Sequence, residues 1–208
     1  MRVITGSAKG RTLKTVKDRS VRPTADRVKE SIFNVLAPRL PEARFLDLFA
    51  GSGAVGIEAL SRGAACCTFV ELVPSHLKVV AENLETTGLT ARAELIRRDA
   101  RAAIRDLSHR GRQYDIVFVD PPYGQGLVPE VLEAVAGTGL LAADGWVICE
   151  HHRRDPVPDL VPARDAAGSL SRFRELIFGE TVVSLYRAAA EPTSGGFGRD
   201  QSDLSGEL

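Results

Sequence analysis

Short apolar runs alternate with amphipathic stretches along most of this sequence. From residue 44, strand-like runs are separated by segments whose apolar residues recur at the three- and four-residue spacing of a helix. The strand-like runs are RFLDLF, CCTFVEL, AELIRRD, YDIVFVD and GWVICE, and the helical segments include PSHLKVVAENLETTG and LVPEVLEAVAG. Because strands that alternate with helices form parallel β-α-β units, the pattern predicts a doubly wound α/β sheet.

Further elements are predicted on both sides of this region. FRELIF and TVVSLY flank Gly179 and Glu180, which is typical of an antiparallel hairpin at a sheet edge. RVITG and RTLKTV, joined by SAKG, predict a small N-terminal β-hairpin. ADRVKESIFNVLA has helical periodicity, with Thr24 as its predicted N-cap and Pro38 at its end. Residues 151–172 are polar and contain proline, so we expect a connection with little regular structure.

The 208 residues are enough for one main domain with modest additions. We divide the chain into a basic hairpin extension at residues 1–22, a main domain at residues 23–187 and a tail at residues 188–208. The tail has few apolar residues, so we expect it to be disordered. No apolar run reaches the roughly 20 residues that span a bilayer, and the first residues lack the apolar stretch of a signal peptide. We therefore expect a cytoplasmic protein without membrane contact.

Charge is balanced overall but not along the chain. The formal net charge is zero, whereas residues 1–30 carry nine basic and three acidic side chains. A polyanion such as RNA could bind this basic segment, although a solvated surface hairpin would show the same composition. The three cysteines form no C-x-x-C pair, which disfavours both a disulfide framework and a zinc site.

A glycine-rich turn follows the first strand of the alternating region, and acidic residues end four strands. Residues 51–56, GSGAVG, match G-x-G-x-x-G, the turn that places a nucleotide at a helix N-terminus. Asp47, Glu71, Asp99 and Asp120 stand at strand ends, which meet at the edge of a parallel sheet where ligands bind. A single acid there often only caps the next helix, but four on successive strands indicate a binding site.

Two of these acids discriminate between possible ligands. Glu71 lies 20 residues after Gly51, the position from which a carboxylate accepts both ribose hydroxyls of NAD or S-adenosylmethionine. Asp47 lies four residues before Gly51, where it would repel a pyrophosphate but attract an ammonium or a sulfonium group. The glycine turn therefore favours a cationic cofactor over a dinucleotide.

The fourth strand-like run ends in Asp120, Pro121, Pro122 and Tyr123. Two prolines fix the backbone and supply no N–H donors, so the turn presents a carboxylate, carbonyl oxygens and an aromatic ring. Such an acceptor-rich platform suits a planar ring with an exocyclic amine. The amine would donate to Asp120 and to the Pro121 carbonyl while Tyr123 stacks on the ring. D-P-P-Y could also be only a rigid turn, but the accompanying acids favour the binding role.

Taken together, these motifs resemble those of class I S-adenosylmethionine-dependent methyltransferases that modify amino groups. More narrowly, the chain is similar to the RsmD-type 16S rRNA guanine-N2 methyltransferases. The resemblance spans roughly residues 1–187 and rests on GSAKGRTL, RPTADRVKESIFNVL, FLDLFAGSGAVGIEALSRGA and VFVDPPY. It implies a Rossmann-like, mostly parallel seven-stranded sheet with a C-terminal antiparallel hairpin. It also implies S-adenosylmethionine as cofactor and methyl transfer to N2 of guanine 966. The implied partner is 16S rRNA within the small ribosomal subunit or its assembly intermediate, bound by a monomer.

The resemblance further implies roles for individual residues. The cofactor would be held by Asp47, Ala50, Gly51, Gly53, Glu71, Leu72, Asp99, Ala100 and Asp120. The target guanine would be held by the catalytic residues Asp120, Pro121, Pro122 and Tyr123. RNA contacts would come from Arg2, Lys9, Arg11, Lys14, Arg22, Thr24 and Arg27, and no metal is implied.

Three other functions stay open at this point. An adenine-N6 methyltransferase acting on DNA or RNA would use the same D-P-P-Y turn, although no target-recognition domain is evident in so short a chain. A ribosome-assembly factor could keep RNA binding without chemistry, although the intact set of acids disfavours this. An NAD-dependent oxidoreductase is disfavoured by Asp47 and by the C-terminal hairpin.

Overall fold

One sheet of eight strands organises the part of the chain that this computed structural model describes, which comprises residues 1–16, 26–163 and 168–189. The strands are β1 (Arg44–Asp47), β2 (Cys66–Glu71), β3 (Ala93–Arg97), β4 (Tyr114–Val119), β5 (Leu141–His152), β6 (Leu160–Val161), β7 (Leu170–Phe178) and β8 (Thr181–Ala188). Their order across the sheet is β3-β2-β1-β4-β5-β8-β7-β6. The first five are parallel to one another, and the last three are antiparallel to their neighbours.

Among the described residues, five α-helices cover the two faces of the sheet. They are α1 (Asp26–Leu36), α2 (Ala54–Ser61), α3 (Pro74–Thr87), α4 (Ala100–His109) and α5 (Leu127–Ala136). Because side chains alternate along a strand, Phe45 belongs to the core beneath α1, α2 and α3, whereas Leu46 belongs to the core beneath α4 and α5. Within the described ranges, no helix has both the length and the apolar character needed to cross a lipid bilayer.

The predicted fold class is confirmed, with one strand more than the seven expected. The additional strand, β6, lies in the segment for which we expected little regular structure, so that prediction is wrong in part. Val161 pairs with Leu170, and both side chains are buried. Two residues at a sheet edge are too few for a hydrophobic pattern, which explains why the strand was missed.

The N-terminal hairpin is short and packs closely on the main domain. Its two arms meet through a single antiparallel bridge between Arg2 and Thr12. Val3, Ala8 and Leu13 are buried in the same core as α1, α2 and α3. The alternation seen in the sequence therefore places apolar residues against the domain and leaves basic residues outside.

The tip of the hairpin touches the last turn of α2. The Ser7 amide donates to the Ser61 carbonyl at 2.8 Å, and the Ala8 amide donates to Ser61 Oγ at 2.9 Å. Gly6 has a φ of +88°, and a Cβ built on it would lie 1.9 Å from the Ser61 carbonyl oxygen. This close approach requires glycine.

A buried carboxylate fixes the first arm of the hairpin. Glu58, on α2, accepts hydrogen bonds from the Ile4 amide at 2.8 Å and the Thr5 amide at 3.0 Å. Arg62 Nε donates to the same carboxylate at 2.8 Å, and Lys29 Nζ lies 3.6 Å from it. Burial lowers the pKa of Lys29, and the Glu58 charge opposes that shift. Because both side chains of the Lys29–Glu58 pair are fully buried, loss of Glu58 would leave the Lys29 charge buried without its carboxylate, whereas loss of Lys29 would leave Glu58 paired with Arg62.

Two predicted features fall outside the described residues. These are the N-cap at Thr24 and all but the first two residues of the tail predicted at residues 188–208, since Ala188 ends β8 and the described residues end at 189. The helix predicted between Thr24 and Pro38 is confirmed as α1 from Asp26, and it ends at Leu36, two residues before the proline.

We expect Gly6→Ala to destabilise the protein by about 3 kcal/mol or more, because positive φ costs a side chain roughly 1–2 kcal/mol and the Cβ also clashes with backbone. Gly10→Ala is the matched control, since Gly10 has a φ of +82° in the same hairpin with no atom within 4 Å of the built Cβ. Urea unfolding of both variants measures the difference. Equal losses of stability would show that the hairpin tip does not pack on Ser61 in solution.

Candidate active site

A cavity of about 610 Å³ opens at the carboxyl ends of β1, β2 and β4. Here the strand order reverses, because the chain runs outward from β1 through β3 and returns on the other side of β1 as β4. Every predicted cofactor and catalytic residue except Gly53 lines it, namely Asp47, Ala50, Gly51, Glu71, Leu72, Asp99, Ala100, Asp120, Pro121, Pro122 and Tyr123. The fold thus brings together residues that are far apart in sequence.

Gly53 lies behind the glycine turn and does not line the cavity. Its φ of +78° starts α2, and a Cβ built on it would lie 2.9 Å from a methyl carbon of Val80 on α3. The residue therefore permits a tight turn and close helix packing, and we propose no direct cofactor contact for it.

Glu71 holds the glycine turn against the end of β2. One of its carboxylate oxygens accepts from the Gly51 amide at 2.9 Å, and the other accepts from the Val73 amide at 2.9 Å. His76, on α3, places Nδ1 3.6 Å from Glu71 Oε2. These bonds fix the carboxylate at the cavity wall.

Asp47 is the most deeply buried acid in the cavity wall. It is 1% exposed, and its Oδ2 accepts from the Gly56 amide at 3.3 Å. Its Oδ1 is buried without a hydrogen-bond partner among the described residues. Burial, with a smaller contribution from the Glu71 charge, raises the pKa of Asp47 to about 7. An unsatisfied buried acceptor of this kind could take a hydrogen bond from a donor of a bound ligand.

Asp99 caps the N-terminus of α4, which is the structural role that any of the four strand-end acids could have had instead of ligand binding. It stands before α4 and accepts from the Arg101 amide at 3.1 Å and from the Ala102 amide at 3.2 Å. Its side chain also lines the cavity beside Ala100. Capping and ligand binding are therefore compatible at this position, because a carboxylate has more than two acceptor sites.

The D-P-P-Y turn lies beside a fifth acid that the sequence analysis did not select. Tyr123 Oη donates to Glu150 Oε1 at 3.3 Å, and Glu150 is 4% exposed. Val119 on β4 pairs with Cys149 on the parallel strand β5. Asp120 and Glu150 are the next residues along the chain, so they lie side by side. Burial first, then the charges of Glu150 and Asp47, raise the pKa of Asp120 well above its ordinary value. The missed signal was available, since Glu150 follows the apolar run GWVIC just as the other acids follow theirs.

Other lining residues were not among the predicted site residues. They are Met1, Leu48, Phe49, Ser52, Ala54, Val55, Val73, His76, Arg98, Phe118, Gln125 and Leu127. Met1 is notable because it belongs to the N-terminal hairpin, where its carbonyl accepts from the Leu13 amide at 3.0 Å. The hairpin therefore supplies part of the cavity wall.

The predicted RNA-binding residues of the hairpin lie on its outer surface. Arg2, Lys9, Arg11 and Lys14 are all exposed. Lys14 Nζ lies 2.8 Å from Glu82 Oε2 on α3, so part of its charge is neutralised. Arg27 is exposed in the first turn of α1, and the predicted contacts at Arg22 and Thr24 lie outside the described residues.

Nearly the whole chain matches known proteins in sequence and in structure. The family described as "Conserved hypothetical protein 95" matches residues 1–187. YlbH of Bacillus subtilis (strain 168) is 42% identical over 187 residues, covering 90% of this chain and 98% of that protein. "Ribosomal RNA small subunit methyltransferase D" of Escherichia coli (strain K12) is 36% identical over 194 residues, covering 93% of each. The solved structure of yhhF from Escherichia coli has a TM-score of 0.77 and 35% identity, covering 92% of this chain and 99% of that one.

We expect Asp47→Asn to stabilise the ligand-free protein at pH 8. The pKa of Asp47 is raised to about 7 in the folded state, so the folded state binds the proton more tightly and stability falls as pH rises from about 4 to 7. Asparagine removes this loss, which amounts to at most about 4 kcal/mol.

Urea unfolding at pH 4 and pH 8 measures the effect, with Asp144→Asn, at an exposed position, as the control. The gain for Asp47→Asn should be present at pH 8 and absent at pH 4. An equal change at both pH values would contradict the burial argument.

Proposed function

The chain belongs to the Conserved hypothetical protein 95 family, the RsmD-type methyltransferases, and on this premise we propose that it transfers a methyl group from S-adenosylmethionine to the N2 amine of guanine 966 in 16S rRNA. The name of the Escherichia coli relative supports the small-subunit RNA as substrate. The single observation that carries the proposal is the convergence of Asp47, Glu71 and the D-P-P-Y turn on one cavity. We propose that the enzyme acts as a monomer in the cytoplasm, on the small subunit or its assembly intermediate.

The charged and apolar residues of the cavity suit the parts of S-adenosylmethionine. Asp47, with its unsatisfied Oδ1, would hold the methionine ammonium, and Glu71 would hold the ribose hydroxyls. Leu72, which is 61% exposed, would cover one face of the adenine, and Asp99 with the Ala100 backbone would meet its edge. When bound, the cofactor supplies an electrophilic methyl group on a sulfonium centre.

The D-P-P-Y turn would hold the target base. The N2 amine of guanine is a poor nucleophile, because its lone pair is delocalised into the ring. Asp120 and the Pro121 carbonyl would accept its two hydrogens, which favours a pyramidal nitrogen aimed across the cavity. Positioning of this kind would account for most of the acceleration of an in-line nucleophilic displacement at the methyl carbon.

Asp120 is also the proposed acceptor of the departing proton. Its raised pKa brings the carboxylate closer to the range in which a side chain accepts a proton at neutral pH. Glu150 would assist in two ways, by adding negative charge beside Asp120 and by orienting Tyr123 through the 3.3 Å hydrogen bond. Tyr123 would stack on the base, replacing the neighbours that an unpaired or flipped nucleotide has lost.

The decisive experiment is transfer of a labelled methyl group from S-adenosylmethionine to small ribosomal subunits from cells that lack the enzyme. N2-methylguanosine at one site in the digested RNA is the expected product. N6-methyladenosine would overturn the guanine assignment while preserving the role of the D-P-P-Y turn. Absence of label, with RNA binding retained, would indicate an assembly factor without chemistry.

In the same assay, we expect Asp120→Asn to lower kcat by roughly 10²–10⁴-fold, because an amide cannot accept the proton and accepts fewer hydrogen bonds. Cofactor affinity, measured by calorimetry, should change much less than kcat, because asparagine keeps an acceptor oxygen and Asp120 is only one of the predicted cofactor residues. Asp115→Asn is the matched control. Asp115 lies at the start of β4, the strand that Asp120 follows, and pairs with Arg44 far from the cavity end of the strand. A near-normal rate for Asp120→Asn would remove Asp120 from the mechanism.

We expect neutralisation of Lys9 and Arg11 to weaken binding to small subunits and to reduce the slope of log K against log[salt] by roughly 1–2, since each phosphate contact contributes about 0.7–0.9. Both side chains are exposed on the hairpin. The control neutralises two exposed residues on the opposite face of the sheet, Arg105 on α4 and Arg110 directly after it. Equal slopes for the two double variants would exclude the hairpin as the RNA contact.

A further inference from the structure

A single buried amide links the N-terminal hairpin to the glycine turn. Asn83 lies on α3 and is 1% exposed. Its Oδ1 accepts from the Lys14 amide at 2.8 Å, and its Nδ2 donates to the Lys14 carbonyl at 3.0 Å. The same Nδ2 donates to the Ser52 carbonyl at 2.9 Å. The amide thus uses both of its N–H donors and one acceptor site to bind two distant segments. Ser52 lies 31 residues from Asn83 in sequence, and Lys14 lies 69 residues from it.

The Ser52 end of this link lies in the wall of the cofactor cavity. Ser52 stands between Gly51 and Gly53, and Gly51 is itself bound to Glu71. Two glycines with positive φ make this turn easy to deform, so its shape depends on the groups that hold it from outside. The Asn83 amide holds it from the helix side, and Glu71 holds it from the strand side.

The Lys14 end lies in the arm that carries the exposed basic residues. Lys14 directly follows Leu13, whose amide bonds to Met1 in the cavity wall. Lys9 and Arg11 lie on the exposed side of the same hairpin. The Lys14 backbone therefore connects the exposed surface of the hairpin, through Asn83, to Ser52 in the cavity wall.

A second contact in the same place provides a contrast. Lys14 also reaches α3 through its side chain, which pairs with Glu82, the residue before Asn83. That pair is exposed, with 65% of the Lys14 side chain accessible, and it has no bond to the glycine turn. Surface pairs of this kind contribute little to stability. Only the Asn83 amide connects the arm directly to Ser52 among the bonds of the described residues.

We infer that Asn83 is a positioning residue that couples RNA contact at the N-terminal hairpin to the shape of the cofactor turn, so that RNA and cofactor bind cooperatively. The inference rests on the proposed function, in which the hairpin binds RNA and the cavity binds S-adenosylmethionine. RNA bound to the outer surface would keep the arm docked on α3, which would keep the Asn83 amide hydrogen-bonded to the Ser52 carbonyl. The glycine turn would then already be ordered, so the cofactor would bind at a smaller cost in conformational entropy. By linkage, the cofactor tightens RNA binding by the same factor.

The test measures the Kd of labelled S-adenosylhomocysteine by equilibrium dialysis, with and without saturating small ribosomal subunits. This ligand carries no transferable methyl group, so the readout is binding alone. The unaltered protein should bind it about tenfold more tightly with subunits present, within the usual range of coupling. In Asn83→Ala, the two Kd values should become equal. In the control Glu82→Gln, the tenfold ratio should persist.

A second variant and a second measurement guard against simple unfolding. Asn83→Asp keeps the acceptor for the Lys14 amide but replaces both donated bonds by repulsion between a carboxylate oxygen and the carbonyls of Lys14 and Ser52, so it should lose the coupling. Urea unfolding shows whether each variant is folded under the conditions of the binding assay. Hydrogen exchange at the Ser52 and Gly53 amides should slow on subunit binding in the unaltered protein but not in this variant.

The outcomes separate the inference from the function on which it rests. If subunits and S-adenosylhomocysteine both bind but the unaltered protein shows a ratio of one, the coupling does not exist. If Asn83→Ala keeps the tenfold ratio, coupling exists without Asn83, and the positioning role is wrong. If subunits do not bind at all, the proposed function fails, and the inference fails with it.

Discussion

Crowding of carboxylates at one end of a parallel sheet is the constraint on which the rest of this structure depends. Asp47 and Asp120 end adjacent strands, and Glu150 stands on the next strand in a buried position. Burial raises the pKa values of Asp47 and Asp120, with added repulsion from Glu71 on Asp47 and from Glu150 and Asp47 on Asp120. Such a cluster is unfavourable for folding, and donors or a cation from a ligand relieve it. Binding should therefore stabilise the protein as well as prepare it for chemistry.

Rigid backbone surrounds these acids, and it explains how the cluster is held. The amides of Gly51 and Val73 fix Glu71, the amide of Gly56 fixes Asp47, and two prolines fix the turn after Asp120. None of these groups requires a flexible side chain to be ordered when a ligand arrives. The site is therefore largely preorganised, which is the condition under which fixed dipoles and charges act most strongly on a reaction.

Much of this arrangement could be predicted from the sequence, because local rules governed it. Period-two and helical spacing identified the parallel strands, and strand-end acids identified the cavity, because all parallel strands deliver their carboxyl ends to one edge. Glu150 follows the same rule, because it comes directly after the apolar run GWVIC. Met1 and Asn83 are different. Their roles arise from contacts between distant segments, and no periodicity or motif around them indicates the partner.

The docking of the hairpin on α2 has a consequence for synthesis of the chain. Ile4 and Thr5 find their acceptor on Glu58, and Ala8 finds its acceptor on Ser61, at sequence separations of 53 or 54 residues. During translation the basic arm therefore leaves the ribosome well before any of these partners exists. Until α2 emerges, it is an unsatisfied cationic segment at the surface of an RNA particle, which favours transient contact between the nascent chain and ribosomal RNA.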